Sequence, residues 1–225
     1  MTSASKGAAV NAPASVTGGR LTSKGLATRA RIVAAASELM LAQGTARTTI
    51  EDIQIAAQVS ASQMYHYFAD KDALLLAVID FQAEQVFALQ RQGLDGLNSL
   101  AALARWRDLV VSAVKGVGCA GGCPLGSLAS DLSEADPVAR VRLAGAFAHW
   151  EAMLERGLTA MRDGGELSPA ADPGELALAL LASVQGGLLL SQVRRDTRPL
   201  EAALDTMLAR IRDLTVPSAG AQAGA

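Results

Sequence analysis

Three features of the sequence predict an all-α fold. Half of the 225 residues are apolar and only 4% are aromatic. Ala and Leu dominate the apolar set, a composition that leans to helix. Between residues 23 and 215 apolar side chains recur at helical spacing, with no convincing run of strand alternation. Finally, Thr, Ser, Asp or Pro stands where most of these stretches begin, as helix caps and first turns require.

The elements follow in order. The first helix is expected over about Thr28 to Gln43, with Ile32, Ala36, Leu39 and Met40 on one face and Gly44 as its stop. In TTIEDIQIAA, Thr49 is the expected cap and Asp52 the capping-box acid; Glu51 and Asp52 also suit the positive end of the helix dipole. After a turn at Gln58-Val59, Ser60 caps a third, short helix in which Met64 and Phe68 face inward together. Asp70 caps a fourth, whose stripe includes Leu74, Leu75, Val78, Phe81 and Leu89. Further helices are expected over 99–117, from Pro124, from Pro137, from near Pro173, and from Pro199 to Leu214.

Charge and cysteine content narrow the field. Net charge is −2, but residues 1–49 hold six basic residues and one acid. A basic end on an acidic body points to an anionic partner, or else to a solvated basic tail. The stretch Ala177 to Leu190, interrupted by Ser183, Gln185, Gly186 and Gly187, is read as too broken to span a bilayer. No signal-peptide pattern is seen, so a soluble cytoplasmic protein without membrane partners is expected. Two cysteines make no disulfide framework, and neither they nor the two histidines form a metal-binding pattern. No metal or cofactor is expected.

The segment VSASQMYHYFADK, residues 59–71, holds three of the eight aromatic residues and one of the two histidines. Two short helices joined by a tight turn, the second polar on its outer face, make a helix-turn-helix. Ala61, Ser62 and Gln63 are small or polar enough to approach base edges, and Gln63 offers adenine both a donor and an acceptor. Tyr65, His66 and Tyr67 carry polar tips for phosphate oxygens, Lys71 carries a charge, and Thr49 and Ser60 complete the candidate DNA contacts. The competing reading is a plain helical hairpin whose aromatics merely pack.

Residues 28–79 resemble the DNA-binding domain of the tetracycline-repressor (TetR) family of bacterial transcription regulators. The cadence T-I-x-D-I, A-x-V-S, Y-x-Y-F-x-D-K-x-A-L carries the resemblance. Gln58 stands where the family usually has Gly, and Gln63-Met64 replaces a small residue and Leu. Further on, GCPLGSLASDL (122–132), ADPVARVRLAGAFAHW (135–150), GGELSPAADPGELA (164–177) and Gln185-Gly186-Gly187-Leu188 resemble a subgroup of the same family. Residues 1–22 and 216–225, rich in small residues with little periodicity, are read as disordered tails; the resemblance implies a helix-turn-helix domain at 23–72 and a helical regulatory and dimerisation domain at 73–215. It also implies double-stranded DNA with a palindromic operator, a small-molecule effector and a homodimer as partners.

For the dimer interface, the expectation is a four-helix arrangement from the last two helices. The final helix presents Leu200, Leu204, Leu208 and Ile211 on a face too wide for one domain to bury. The candidate effector contacts are Trp106, Val110, Cys123, Leu128, Phe147, Trp150 and Gln185. The rings are equally readable as core, and Gln185 as a buried group with a local partner. His149 is read as a surface residue. A redox-responsive regulator using Cys119 and Cys123 is an alternative. So is a helical small-molecule-binding protein without DNA binding. An enzyme has the least support, since no phosphate loop, HExxH motif or nucleophile set is present.

Overall fold

The computed structural model describes residues 22–216, and among these it has nine α-helices and no named strand. They are α1 (Ser23–Gln43), α2 (Ile50–Ala57), α3 (Ala61–Tyr67), α4 (Lys71–Leu94), α5 (Leu100–Gly116), α6 (Pro124–Leu132), α7 (Pro137–Asp163), α8 (Pro173–Arg194) and α9 (Arg198–Asp213). The tails expected at 1–22 and 216–225 lie outside the described residues, except for Thr22 and Val216. The boundary expected at residues 72–73 falls in the first turn of α4, which continues unbroken to Leu94.

Capping chemistry sets most of the boundaries. Thr49, Ser60, Asp70, Ser99, Asp136 and Asp172 each accept a backbone N–H in the first turn of the helix they precede. Pro124, Pro137 and Pro173 occupy first helical positions, where no donor is needed. The first helix begins five residues earlier than expected, at Ser23, because Thr22 caps it by accepting from the Gly25 N–H at 3.2 Å. Gln58 closes α2 in the left-handed conformation, at φ 52°.

α4 is the spine. It packs on α1 at one end and on α5, α6 and α7 at the other. Phe68 and Met64 are buried beneath α3, as their spacing predicts. The α1–α4 contact includes a buried hydrogen bond from Gln82 to the Ser37 hydroxyl.

Two expectations about the last helices are corrected. Leu200, Leu204, Leu208 and Ile211 of α9 are all buried within their own subunit, where α9 packs on α8 and α5. The outward apolar side chains belong instead to α8: Leu178, Leu189, Leu190 and Val193 are exposed. In addition, the 22-residue α8 is long and apolar enough, by length and composition, to cross a membrane. Here it packs along α7 and α9.

Gly187 makes the α8–α9 packing possible, since a Cβ there would lie 2.8 Å from Leu200 Cα. Backbone cannot move aside as a side-chain tip can. Gly187→Ala is therefore expected to destabilise the protein by about 1–3 kcal/mol, although Ala ordinarily favours helix by about 1 kcal/mol. Gly145→Ala in α7, where no atom lies within 4 Å, should instead stabilise slightly. Chemical denaturation of the two variants tests the opposite signs.

Candidate nucleic-acid interface and effector cavity

The candidate recognition surface is built on α3. Ala61, Ser62, Gln63, Tyr65 and His66 are exposed, and Tyr67 is half-buried with its ring edge-on to His66 at 4.9 Å. Phe68 holds the helix to the core, and the Arg29 guanidinium lies 5.1 Å from its ring centroid. Arg31 Nε donates to the Ala57 carbonyl at 2.8 Å, and Arg47 Nε to the Gln43 carbonyl at 2.6 Å. Three of the basic residues that tilt the N-terminal charge are thus tied into the helix-turn-helix itself. What read as an anion-seeking end is in part structural.

Several candidate DNA contacts also hold the local fold. Thr49 caps α2: its Oγ1 accepts from the Asp52 N–H at 3.1 Å and donates to the Asp52 carboxylate at 2.7 Å. That hydroxyl, and the Thr49 N–H donating to the same carboxylate at 3.1 Å, hold the Asp52 carboxyl below the ordinary carboxylate range. Ser60 Oγ accepts from the Gln63 N–H at 3.2 Å, and Gln63 Oε1 accepts from the Ser60 N–H at 3.0 Å. This capping box uses one lone pair of the Gln63 oxygen and leaves the other, with both amide donors, for a base edge. Lys71 Nζ donates to the Thr45 carbonyl at 2.9 Å, which leaves two of its three donors for a phosphate.

Thr45 itself is buried and held from the other side. Its N–H and its hydroxyl both donate to the Asp131 carboxylate, at 3.2 and 3.4 Å. Asp131 is in the last turn of α6. The first residues of α6 lie elsewhere, at a cavity of about 260 Å³. Val110 of α5, Cys123 and Pro124 at the head of α6, Trp150 of α7 and Val184 of α8 line it. The loop between α5 and α6 closes one side, through Cys119, Ala120 and Gly122. Gly118, Cys119, Gly121 and Gly122 in this loop all have left-handed backbone angles. Arg195, at the end of α8, pins the loop by donating to the Cys119 carbonyl at 3.0 Å.

Of the seven candidate effector contacts, Val110, Cys123 and Trp150 line this cavity. Trp106 does not: it is fully buried, and its indole N–H donates to Gln90 Oε1 at 2.7 Å. Leu128 is core, and Phe147 packs half-buried against that core. Gln185 lines a neighbouring hollow with Cys123 and Gly126, and its Nε2 is buried with no acceptor among the described residues. Trp150 Nε1 is in the same condition. Val86, Leu89 and Gln90 of α4 also line the cavity and were not legible as such in the sequence. Burial pushes the Cys123 thiol up, so it stays protonated and is a poor nucleophile at neutral pH. His149 is exposed, its ring tilted at 52° to that of Phe87 with centroids 4.6 Å apart, beside an open groove between α4 and α7.

Comparisons with known proteins agree with this architecture. Residues 32–78 match the family model described as bacterial regulatory proteins, tetR family. Residues 96–207 match the tetracyclin repressor-like C-terminal domain. An uncharacterized HTH-type transcriptional regulator of Mycobacterium tuberculosis H37Rv is 30% identical over 177 residues, covering 77% of this chain and 88% of that protein. The transcriptional regulator AcuR of Cereibacter sphaeroides is 30% identical over 176 residues, covering 76% and 79% respectively. The crystal structure of a TetR transcriptional regulator from Chloroflexus aurantiacus superposes with a TM-score of 0.76 at 27% identity, covering 86% of this chain and 98% of that one. These relatives are regulators rather than enzymes. The two family models together span the helix-turn-helix and the helical body: the chain is a DNA-binding transcription regulator of the TetR family.

Proposed function

We propose that this regulator is a cytoplasmic repressor that binds a palindromic operator as a homodimer and leaves it when a small, largely apolar molecule enters the cavity. The observation that carries the reading is the pairing of the exposed α3 surface with a largely apolar cavity in the same chain. The relative DhaR of Mycobacterium sp., 25% identical over 182 residues, is named a transcriptional repressor, which supports the sign of the regulation. The GCPLGSLA segment, which forms the head of α6 at the cavity, supports a regulatory domain of the subgroup that it resembles. We place the domain division near residue 72, and the division is functional, since α4 spans it.

The exposed leucines and valine on α8 supply the dimer face; contiguous apolar side chains of that kind mark association surfaces. Two copies related by a two-fold axis would set their α3 helices about 34–36 Å apart, one turn of DNA. Selection of bound fragments from random DNA should enrich a two-fold-symmetric sequence. Enrichment of no sequence, or of an asymmetric single site, would overturn the dimeric repressor.

α6 links the two ends. Its head borders the cavity through Cys123, and its tail holds the helix-turn-helix through Asp131 and Thr45. A ligand that displaces the head would shift the loop between α1 and α2, and with it the angle of α3. Such coupling is limited to the ligand's difference in affinity for the two arrangements. Asp131→Ala should speed hydrogen exchange at the Thr45 amide roughly fivefold to tenfold, as one hydrogen bond is lost. Unchanged exchange at that amide would detach α6 from the DNA-binding end.

A further inference from the structure

Trp106 fixes the direction of an amide at the wall of the cavity. An indole nitrogen only donates, so the Gln90 atom 2.7 Å from it is the carboxamide oxygen, and the other is the nitrogen with its two N–H donors. Gln90 lines the cavity, whereas Trp106 is not among the lining residues.

The Gln90 nitrogen donates to nothing among the described residues. Two other side-chain nitrogens share that lack, Trp150 Nε1 and Gln185 Nε2, and both are sealed by the atoms around them, out of reach of a ligand. The Gln90 nitrogen is not sealed with them and so keeps accessible surface. Gln90 is 3% exposed in all and lines the cavity, so the cavity is where that surface lies.

The rest of the lining defines what can meet these donors. No charged side chain among the described residues contributes to it. A carboxylate or an ammonium group seated against Gln90 would lose its hydration without gaining a counter-charge. The one side-chain oxygen in the lining is that of Gln90 itself, already engaged by the Trp106 N–H. A ligand is thus matched by bringing an acceptor rather than a donor. An apolar cavity of roughly 150 Å³ is large enough to hold benzene. The 260 Å³ here allows one ring with a short substituent.

We propose that the cavity takes a neutral carbonyl compound the size of a single substituted ring, its oxygen accepting from the Gln90 amide that Trp106 holds in place. The inference rests on the reading of this cavity as the effector site and adds the chemical class and the residue that selects it.

The test uses the full-length protein and three probes of one size: acetophenone, ethylbenzene and benzoate. Acetophenone should move the side-chain NH₂ signals of Gln90 downfield in a ¹H–¹⁵N spectrum. Ethylbenzene, which brings the ring without the oxygen, should bind without that move. Benzoate should not bind at concentrations that saturate with acetophenone. Gln90→Leu should lower the ratio of acetophenone to ethylbenzene affinity roughly fivefold to tenfold, as expected for one lost hydrogen bond. The ratio cancels any loosening of the cavity, which would weaken both ligands alike. If that variant does not fold, the shifts in the native protein decide. An unchanged ratio in Gln90→Leu would overturn the proposal. So would Gln90 signals that respond equally to acetophenone and ethylbenzene, or benzoate binding as tightly as acetophenone. Operator release is scored separately. Binding with the downfield shift but without release would sink the effector reading and leave the ligand class standing.

Discussion

Ser62→Glu should leave the fold intact and remove operator binding. Ser62 is exposed in the first turn of α3, a turn that holds no acidic residue. A carboxylate there meets the positive end of the helix dipole and should stabilise the helix by about 0.3–1 kcal/mol. On DNA the same carboxylate faces phosphate and acceptor-rich base edges. Like charges placed together at an interface cost several kcal/mol, which amounts to at least about a hundredfold in affinity. The two effects have opposite signs, so the variant separates folding from recognition. Thermal denaturation should show an unchanged or slightly raised midpoint, and a fluorescence-anisotropy titration with operator DNA should show the loss. Operator binding at the native level would mean that α3 does not enter the groove.

Trp106→Ala should cost the most stability of any single change considered. The side chain is fully buried, and a Cβ on Gly93 would fall 2.9 Å from Trp106 Cδ1, so α4 and α5 are fitted closely around it. Truncating a buried Trp costs about 3–5 kcal/mol through lost burial and the cavity left behind. Gln90, 3% exposed, would also lose the partner of its oxygen, at about 1–3 kcal/mol more. Against a total of about 5–15 kcal/mol, most of the margin is gone. Equilibrium unfolding in urea measures this directly. A loss under about 2 kcal/mol would show that the core collapses to fill the space. Trp106→Phe keeps much of the ring but not the N–H, and should lie between the two.

The parts of the fold that were legible in the sequence are those set by short-range chemistry. Thr49 with Asp52, Ser60 and Asp70 act on residues within three positions, so their caps can be read directly. Met64 and Phe68, four apart, are buried together for the same reason. The early start of α1 was missed because Leu26 is exposed and the buried residues near it, Gly25 and Thr28, are not apolar anchors. The last helix was assigned the wrong outward face because periodicity tells which side of a helix is apolar, not what covers it. The amphipathic α9 finds its cover on α8 and α5, whereas α8, apolar nearly all round, has residues to spare.

The site was legible to the same degree. An exposed polar α3 follows from the spacing of its buried residues, so the exposure of the candidate recognition surface could be read off. The capping box that engages Gln63 is also local, but a Gln in place of Glu hides it. Asp131 and Thr45 are 86 positions apart, and Trp106 and Gln90 sit on different helices. Nothing in either pair's local sequence announces the other. Aromatic spacing likewise did not distinguish Trp106, sealed in the core with its donor satisfied, from Trp150, at the cavity with its donor unused.

The glycine-rich loop at residues 117–122 has a consequence in time. Loops move over about nanoseconds to microseconds, whereas shifts of packed helices take about microseconds to milliseconds. The loop lines the cavity, and under the proposed function a ligand held there acts through α6, a helix packed on α4 and α7. Filling is therefore fast and switching slow. A molecule that departs before α6 has moved leaves DNA occupancy unchanged. Dwell time, more than the ability to enter, then decides which compounds the regulator treats as signals.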